Sequence, residues 1–436
     1  MNYSNQLKMK LFDIMDEMAS APSPFVVNPN KDFTRKRKLD FATMLKFLLT
    51  MNGNSIDKEL LEFFDYDEST ATCSAFVQQR KKIKISAFLF LLKRFVACKS
   101  EFKTFRGYRL LAIDGSKINI PHNPLDVDSY KKDRDCVCGY NLLSLNAIYD
   151  LLNRIYIDAR IRGVKSDAEK KVCCDMVDES TISEPTIIVA DRGYEGYNVF
   201  CHTQEKGWKF VIRIRDKRFN SLLLADEYPE TEEFDISKPR NLTYSGANEA
   251  RKSLLYYKRV SNIGGVDISN QEGVDFYTLN LRFVRFKLGA GSYELIVTNL
   301  DKNEFSANDI KKIYNMRWGI ETSFRELKYS VGLNQFHSKE QSCIEQEILG
   351  KLIMYNYCSM ITSQVIIEQY EKKLTYQSNF TRAVQICKYL FNLPNDAKPP
   401  NIEALIRKYM LPVRNGRSYP RQKKKRILTC FNYRIS

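Results

Sequence analysis

Residues 108–121 read YRLLAIDGSKINIP. Tyr108 to Ile113 is an apolar run that stops at Asp114-Gly115, the pattern of a buried strand ending on an acid. Upstream the periodicity is different. DFATMLKFLLTM (40–51), SIDKELLEFF (55–64) and KISAFLFLLKRFVACK (84–99) carry apolar residues at helical spacing, so residues 1–105 are expected to form a helical domain. Asn52-Gly53-Asn54 is a turn between two of these helices, with Ser55 placed to cap the second.

Downstream, LLSLNAIYD (142–150) and NRIYIDARI (153–161) are strand-like runs that Asn153 can join as a hairpin. SDAEKKVCCDMVDE (166–179) is a helix with Ser166 at its start. PTIIVADRGY (185–194) holds a buried strand, Thr186 to Ala190, that ends on Asp191. A helix (195–207) and a strand (208–215) follow. Strands alternating with helices predict an α/β sheet covered by helices. Between about 216 and 290 the pattern shifts. ADEYPETEEFD is acidic and turn-rich, while SLLYYKRV and LNLRFVRFKLG alternate like strands. This reads as a β-rich insertion and not as a continuation of the sheet. YELIVTNL (293–300) is one more strand. A long helix is then expected from Ser306 to about Tyr329, and helical pattern again from Ser342 to about Leu393.

The chain has 436 residues, 68 basic and 52 acidic, a formal charge of +16. Its 44% hydrophobic and 28% charged content suits a packed globular protein and excludes wholesale disorder. No apolar run approaches the ~20 residues of a membrane-spanning helix. The N-terminus has no signal-peptide apolar block, so a cytoplasmic, DNA-associated location is expected. The eleven cysteines are scattered. Cys136-x-Cys138 and Cys173-Cys174 have no second pair at zinc-site spacing, which leaves reduced thiols as the reading. From 401 to 436 ten basic residues face one acid, so this tail carries +9, with Tyr409, Tyr419, Phe431 and Tyr433 interleaved. Cations that displace counterions and rings that stack suit a nucleic-acid backbone. Arg35-Lys36-Arg37-Lys38 forms a second basic block, and Arg80-Lys81-Lys82 a third.

Asp114 and Asp191 each follow an apolar strand, where ligands of α/β sheets bind, although an acid before glycine is also an ordinary turn. The helix at 313–333, IYNMRWGIETSFRELKYSVGL, adds to them. At 100° per residue, Tyr314, Arg317, Glu321 and Lys328 fall within about 60° of arc, next to an apolar stripe of Ile313, Ile320, Phe324, Leu327 and Val331.

The spacing Tyr314-x2-Arg317-x3-Glu321-x6-Lys328 resembles the Tyr-Arg-Glu-Lys signature of the insertion-sequence-four transposases, bacterial DDE enzymes. Ile113-Asp114-Gly115-Ser116 resembles that family's first Asp motif, and Ala190-Asp191-Arg192-Gly193-Tyr194 its second. The resemblance runs from about 33 to 426. It implies a ribonuclease-H-like catalytic core at 106–400, interrupted by the β-rich insertion at about 216–290. It also implies a helical N-terminal DNA-binding domain, a helical C-terminal region and a basic DNA-binding tail at 401–436.

Asp114, Asp191 and Glu321 would then be the catalytic and metal-binding triad for two Mg²⁺ ions, with Mn²⁺ accepted; hard carboxylate oxygens suit both. Arg317 and Lys328 would grip phosphates, and Tyr314 would donate its hydroxyl to one. Trp318 would either stack on a displaced base or belong to the core. Further DNA contacts would come from Arg35, Lys36, Arg37 and Lys38, and from Arg417, Arg421, Lys423, Lys424, Lys425 and Arg426 in the tail. The implied partners are double-stranded DNA (terminal inverted repeats and target) and a second copy in a synaptic dimer. The implied reaction is cut-and-paste transposition through a hairpin. A different ribonuclease-H-like nuclease and an inactive DNA-binding copy are the alternatives.

Deleting 414–436 should weaken DNA binding and flatten its salt dependence, because fewer phosphates are then neutralised. Binding titrations across a salt series check this. An unchanged slope would show the tail to be a bystander.

Overall fold

A computed structural model describes residues 2–132, 139–216, 222, 227–243, 257–259, 276–289, 291–367 and 375–413. Arg417, Arg421, Lys423, Lys424, Lys425 and Arg426 of the tail, and the Cys136-x-Cys138 pair, lie outside the described residues. Five helices open the chain: α1 (Tyr3–Ser20), α2 (Phe41–Thr50), α3 (Ile56–Phe63), α4 (Cys73–Arg80) and α5 (Ile85–Ala97). The side chain of Asp40 accepts from the Thr43 N–H and caps α2, which offsets the cations just before it.

The strands form one mixed sheet. β1 (Arg109–Ile120), β2 (Tyr130–Lys131), β3 (Tyr140–Asp150) and β4 (Ile155–Gly163) come first. α6 (Glu169–Asp178), β5 (Thr186–Ala190), α7 (Tyr197–Glu205) and β6 (Lys209–Ile214) follow. β7 (Phe234–Thr243), β8 (Tyr257–Arg259), β9 (Phe276–Gly289) and β10 (Ser292–Thr298) complete it. The order is β2-β3-β1-β5-β6-β10-β9-β7-β8, with β4 on β3. β1, β5 and β6 run parallel; β3, β4 and β10 pair antiparallel to their neighbours. The strands at 234–289 therefore do continue the sheet: β9 pairs with β10 over seven positions and carries β7 on its far side. Alternating side chains in 279–289 signalled strands, but the edge they would join is a long-range matter.

Three further expectations are corrected. β1 does not stop at Asp114; it runs six residues further, to Ile120, because Asp114 to Ile120 keep pairing with β3. Ser166 does not cap α6: the N-cap is Ala168, and the Ser166 hydroxyl instead donates to Asp128 at 2.8 Å. The helical region after Ser342 is not continuous. α10 (Gln341–Thr362) is followed by β11 (Tyr376–Ser378), α11 (Phe380–Asn392) and α12 (Ile402–Lys408), and β11 pairs with β12 (Met410–Pro412). The β3–β4 hairpin is as expected, with Asn153 in its turn donating to Asp150 at 2.8 Å.

Between β10 and α10 lie α8 (Ala307–Met316) and α9 (Trp318–Glu326), with one π turn at Leu327–Val331. Ser306 and Asp309 cap α8 reciprocally. Helices cover both faces of the sheet. α6 and α7 bury Val172, Val199 and Phe200 against Leu111, Ile113, Ile188 and Phe210. On the other face α8 buries Ile310 and Ile313 against Leu110, Ile187 and Val189. Ile320 and Phe324 of α9 join Ala112, Leu143 and Leu145 in a cluster that includes α10 and the N-terminal helices. Residues 1–105 thus share a core with the sheet. Among the described residues no helix is long and apolar enough to cross a membrane.

A buried polar network ties the N-terminal helices to α10. Arg80 pairs with Glu347 at 3.1 Å and donates to the Cys343 carbonyl at 2.8 Å. His337 bridges Glu347 (3.1 Å) and Glu59 (3.3 Å), and Glu59 accepts from the Asn52 and Asn54 N–H groups of the turn. Arg80, from the third basic block, is therefore an interior residue, and the His337 side chain is buried with it. Burial pushes the Glu59 and Glu347 carboxyls up, but hydrogen bonds and charge from His337, with Arg80 at Glu347, hold both below the ordinary glutamate range. Their stabilisation is present above that range and is lost as pH falls through the lowered values. Glu347→Ala should cost about 3–5 kcal/mol, because it leaves Arg80 buried without its counter-charge. Urea unfolding at pH 7 measures it. A loss under about 1 kcal/mol would show that the network contributes little beyond packing.

Candidate active site

β1 and β5 are neighbouring parallel strands in which Ala112 lies opposite Val189. Asp114 and Asp191 each lie two residues further on, so the register brings the two acids level. Side chains alternate across a sheet. Leu110, Ala112, Ile187 and Val189 face the α8–α9 side, while Leu111, Ile113, Ile188 and Ala190 face α6 and α7. By the same alternation Asp114 stands on the α8–α9 face. Asp191 accepts from the Gly193 N–H at 2.7 Å and caps the short turn Arg192–Tyr194.

Glu321 reaches this face from α9, which packs on β1. The helix is not the uniform one expected. Arg317 sits in a tight turn between α8 and α9, where its N–H bonds the Tyr314 carbonyl and its own carbonyl accepts from Ile320. The π turn after Glu326 shifts the angular position of every later residue. A constant 100° step therefore fails, and the four signature residues do not form one accessible stripe. Ile313, Ile320, Phe324, Leu327 and Val331 are all buried, as their spacing implied.

The Asp114 carboxyl senses both other acids. Burial pushes the Asp114 carboxyl up; the Gly115 N–H pulls it down, Asp191 raises it, Arg317 lowers it and Glu321 raises it, leaving it at about 6. Arg317 pairs with Glu321 at 2.8 Å and is only 5% exposed. Its guanidinium lies 5.0 Å from the Trp318 ring and 5.5 Å from the Tyr314 ring. Among the described residues no three His, Cys, Asp or Glu side chains are gathered into a ready coordination shell. The donor chemistry nevertheless fits a hard divalent cation. Mg²⁺ keeps several waters and needs one or two carboxylates plus substrate phosphate oxygens, and the like charges around Asp114 would be relieved by such an ion.

The remaining candidates are divided. Trp318 is 51% exposed, which removes the core alternative. Lys328 is held back, donating to the Lys117 carbonyl of β1 at 3.2 Å. Tyr314 is 1% exposed and belongs to the apolar cluster that holds Val189, Val211 and Ile296. Arg35, Lys36, Arg37 and Lys38 are exposed in the segment before α2. Lys38 already pairs with Asp67 at 3.1 Å. Sequence reasoning missed Glu169 and Asn146, which stand beside the two Asp motifs. Their only signal was position: one opens the helix after Ser166, the other lies in the strand paired with β1.

A family model described as a transposase DDE domain matches residues 105–357. The transposase InsG for insertion sequence element IS4 of Escherichia coli (strain K12) is 27% identical over 143 residues, 30% of this chain and 32% of that protein. The transposase for insertion sequence element IS1151 of Clostridium perfringens is 22% identical over 265 residues, 54% of each chain. The matches thus span about a third and about half of the lengths of these relatives. Among solved structures, a piggyBac transposase synaptic complex with hairpin DNA aligns over 90% of this chain and 80% of that chain, at 11% identity and a TM-score of 0.47.

Asp114→Asn should stabilise the metal-free protein. A carboxyl held at about 6 instead of its ordinary 3.8 opposes folding once it ionises, so the stability present below 3.8 is lost as pH rises through 6. The variant should gain up to about 3 kcal/mol at pH 8 and almost nothing at pH 4. Thermal unfolding in EDTA at both pH values checks this, and an equal effect at the two would contradict the electrostatic account.

Proposed function

Since its residues 105–357 match that family's model, the chain belongs to the transposase DDE domain family, and on this premise we propose that it is an active DNA transposase of the insertion-sequence-four type. The observation that carries the proposal is that Asp114, on β1, and Asp191, just past the end of β5, each lie two residues beyond the paired Ala112 and Val189, and that Asp191 and Glu321 both act on the Asp114 carboxyl. The core is proposed to be ribonuclease-H-like, spanning 106–400 with the insertion at 216–290. Residues 1–105 and 401–436 supply DNA-binding surfaces.

Asp114, Asp191 and Glu321 are proposed to hold two Mg²⁺ ions, or Mn²⁺ in their place. Bound there, such ions activate an attacking oxygen and stabilise a leaving one. Arg317 keeps Glu321 oriented and places a planar cation beside the reacting phosphate. Lys328 braces the end of the helix against β1, three residues past Asp114. Trp318, exposed next to Arg317, offers a ring on which a displaced base can stack. Arg35, Lys36, Arg37 and Lys38 bind the DNA backbone at a distance from the reaction. The reaction proposed is a series of in-line displacements at phosphorus. One strand is hydrolysed at the element's end, the freed 3′-hydroxyl attacks the opposite strand, water opens the resulting hairpin, and the 3′-hydroxyls attack target DNA. Two ends must be cut together, so the working unit is a dimer on paired inverted repeats.

The test is a cleavage assay with DNA carrying the inverted repeats that flank this gene, in Mg²⁺ and in EDTA. Metal-dependent nicks followed by hairpins are expected at the repeat boundary. Asp191→Ala and Glu321→Ala should abolish cutting and leave end binding intact. Binding without any cut in either Mg²⁺ or Mn²⁺ would instead identify an inactive DNA-binding relative.

A further inference from the structure

Gly115 and Gly193, the glycines that follow the two Asp residues, leave room for a fourth carboxylate. A Cβ built on Gly115 would lie 3.3 Å from Glu169 Oε1 and 3.0 Å from Asn146 Oδ1. A Cβ built on Gly193 would lie 3.6 Å from Glu169 Oε2 and 2.9 Å from Asp191 Oδ1. The Glu169 carboxylate thus spans both motifs with one oxygen toward each, in space that only the missing side chains provide.

An orphaned acceptor and further carboxylates surround it. Asn146 is fully buried, and its Nδ2 donates to Asp167 at 2.9 Å, which fixes the amide so that Oδ1 faces Gly115; that oxygen has no hydrogen-bond partner. Tyr194 is 1% exposed, its hydroxyl also lacks a partner, and it senses Asp114, Glu169 and Asp191. Lys117 is the cation nearby, 3.6 Å from Glu169 and paired to Asp167 as well. One lysine against two carboxylates leaves a net negative charge before Asp191 is added. An acceptor buried without a donor, as Asn146 Oδ1 is, is costly unless a cation joins it.

We propose that Glu169 and Asn146 Oδ1 are further oxygen ligands for a divalent cation at the acidic site, held together with Asp191 across Gly193. Glu169 opens α6, where an acid also favours the helix dipole. That role alone would leave its carboxylate in solvent and would not turn it over the two glycines. The inference rests on the metal-dependent reading above and extends the ligand set beyond Asp114, Asp191 and Glu321.

Mn²⁺ binding to the full chain, read from the free-ion paramagnetic resonance signal in the absence of DNA, tests it. Wild type, Asp191→Asn, Glu169→Gln and Glu169→Asp are compared, with thermal midpoints in EDTA to show that each is folded. Glu169→Gln is expected to weaken Mn²⁺ binding by tenfold or more, with Glu169→Asp recovering part of it. Gly115→Ala, which fills the cradle and keeps every carboxylate, should weaken it too. Binding that is lost in Asp191→Asn but unchanged in Glu169→Gln and Gly115→Ala would overturn this ligand assignment and leave the transposase reading standing. No Mn²⁺ binding by wild type would sink the metal-dependent reading itself, and this inference with it.

Discussion

The Asp114 carboxylate is held half-buried against the charges of Asp191 and Glu321, and much of the surrounding structure serves that end. Parallel pairing of β1 with β5 sets Asp114 level with Asp191, and side-chain alternation turns Asp114 toward the face that α9 covers. Burial and like charge then lift the Asp114 carboxyl to about 6. An arrangement so costly in the bare protein points to function, since stability alone would favour an uncharged side chain there. Arg317 offsets part of the cost by pairing with Glu321 from the turn that opens the same helix.

The scaffold supports this site from both faces of the sheet. α6 and α7 close one side and α8 to α10 the other, so β1 and β5 are fixed along their whole length. The N-terminal helices join the same core, and the Arg80–Glu347–His337–Glu59 network locks them to α10 in a way that apolar contacts alone would leave free to slide. The segment carrying Arg35 to Lys38 is thereby attached to the body that bears the carboxylates.

Much of the candidate site could be read from residue types and spacing. Asp114, Asp191 and Glu321 could be singled out because an acid after an apolar run and a helix with an apolar stripe are local patterns, and the stripe of Ile313, Ile320, Phe324, Leu327 and Val331 is buried as its period implied. The accessible face of that helix was not legible. A tight turn at Arg317 and a π turn after Glu326 break the constant angular step, so Tyr314 enters the core while Trp318 emerges. Those irregularities arise from packing against β1, β5 and β6, and no local propensity announces them.

Sequence alone thus determined the element types, the apolar faces and the acids at the strands, since each depends on neighbours a few residues away. Tertiary structure decided which strands adjoin, that 234–289 extends the main sheet, and that Arg80 and His337 are interior. It also decided that Glu169 and Asn146 stand behind the two Asp motifs. Each of these is a contact between residues distant in the chain. Such contacts are set by how helices and strands bury their faces together, which no short window of sequence contains.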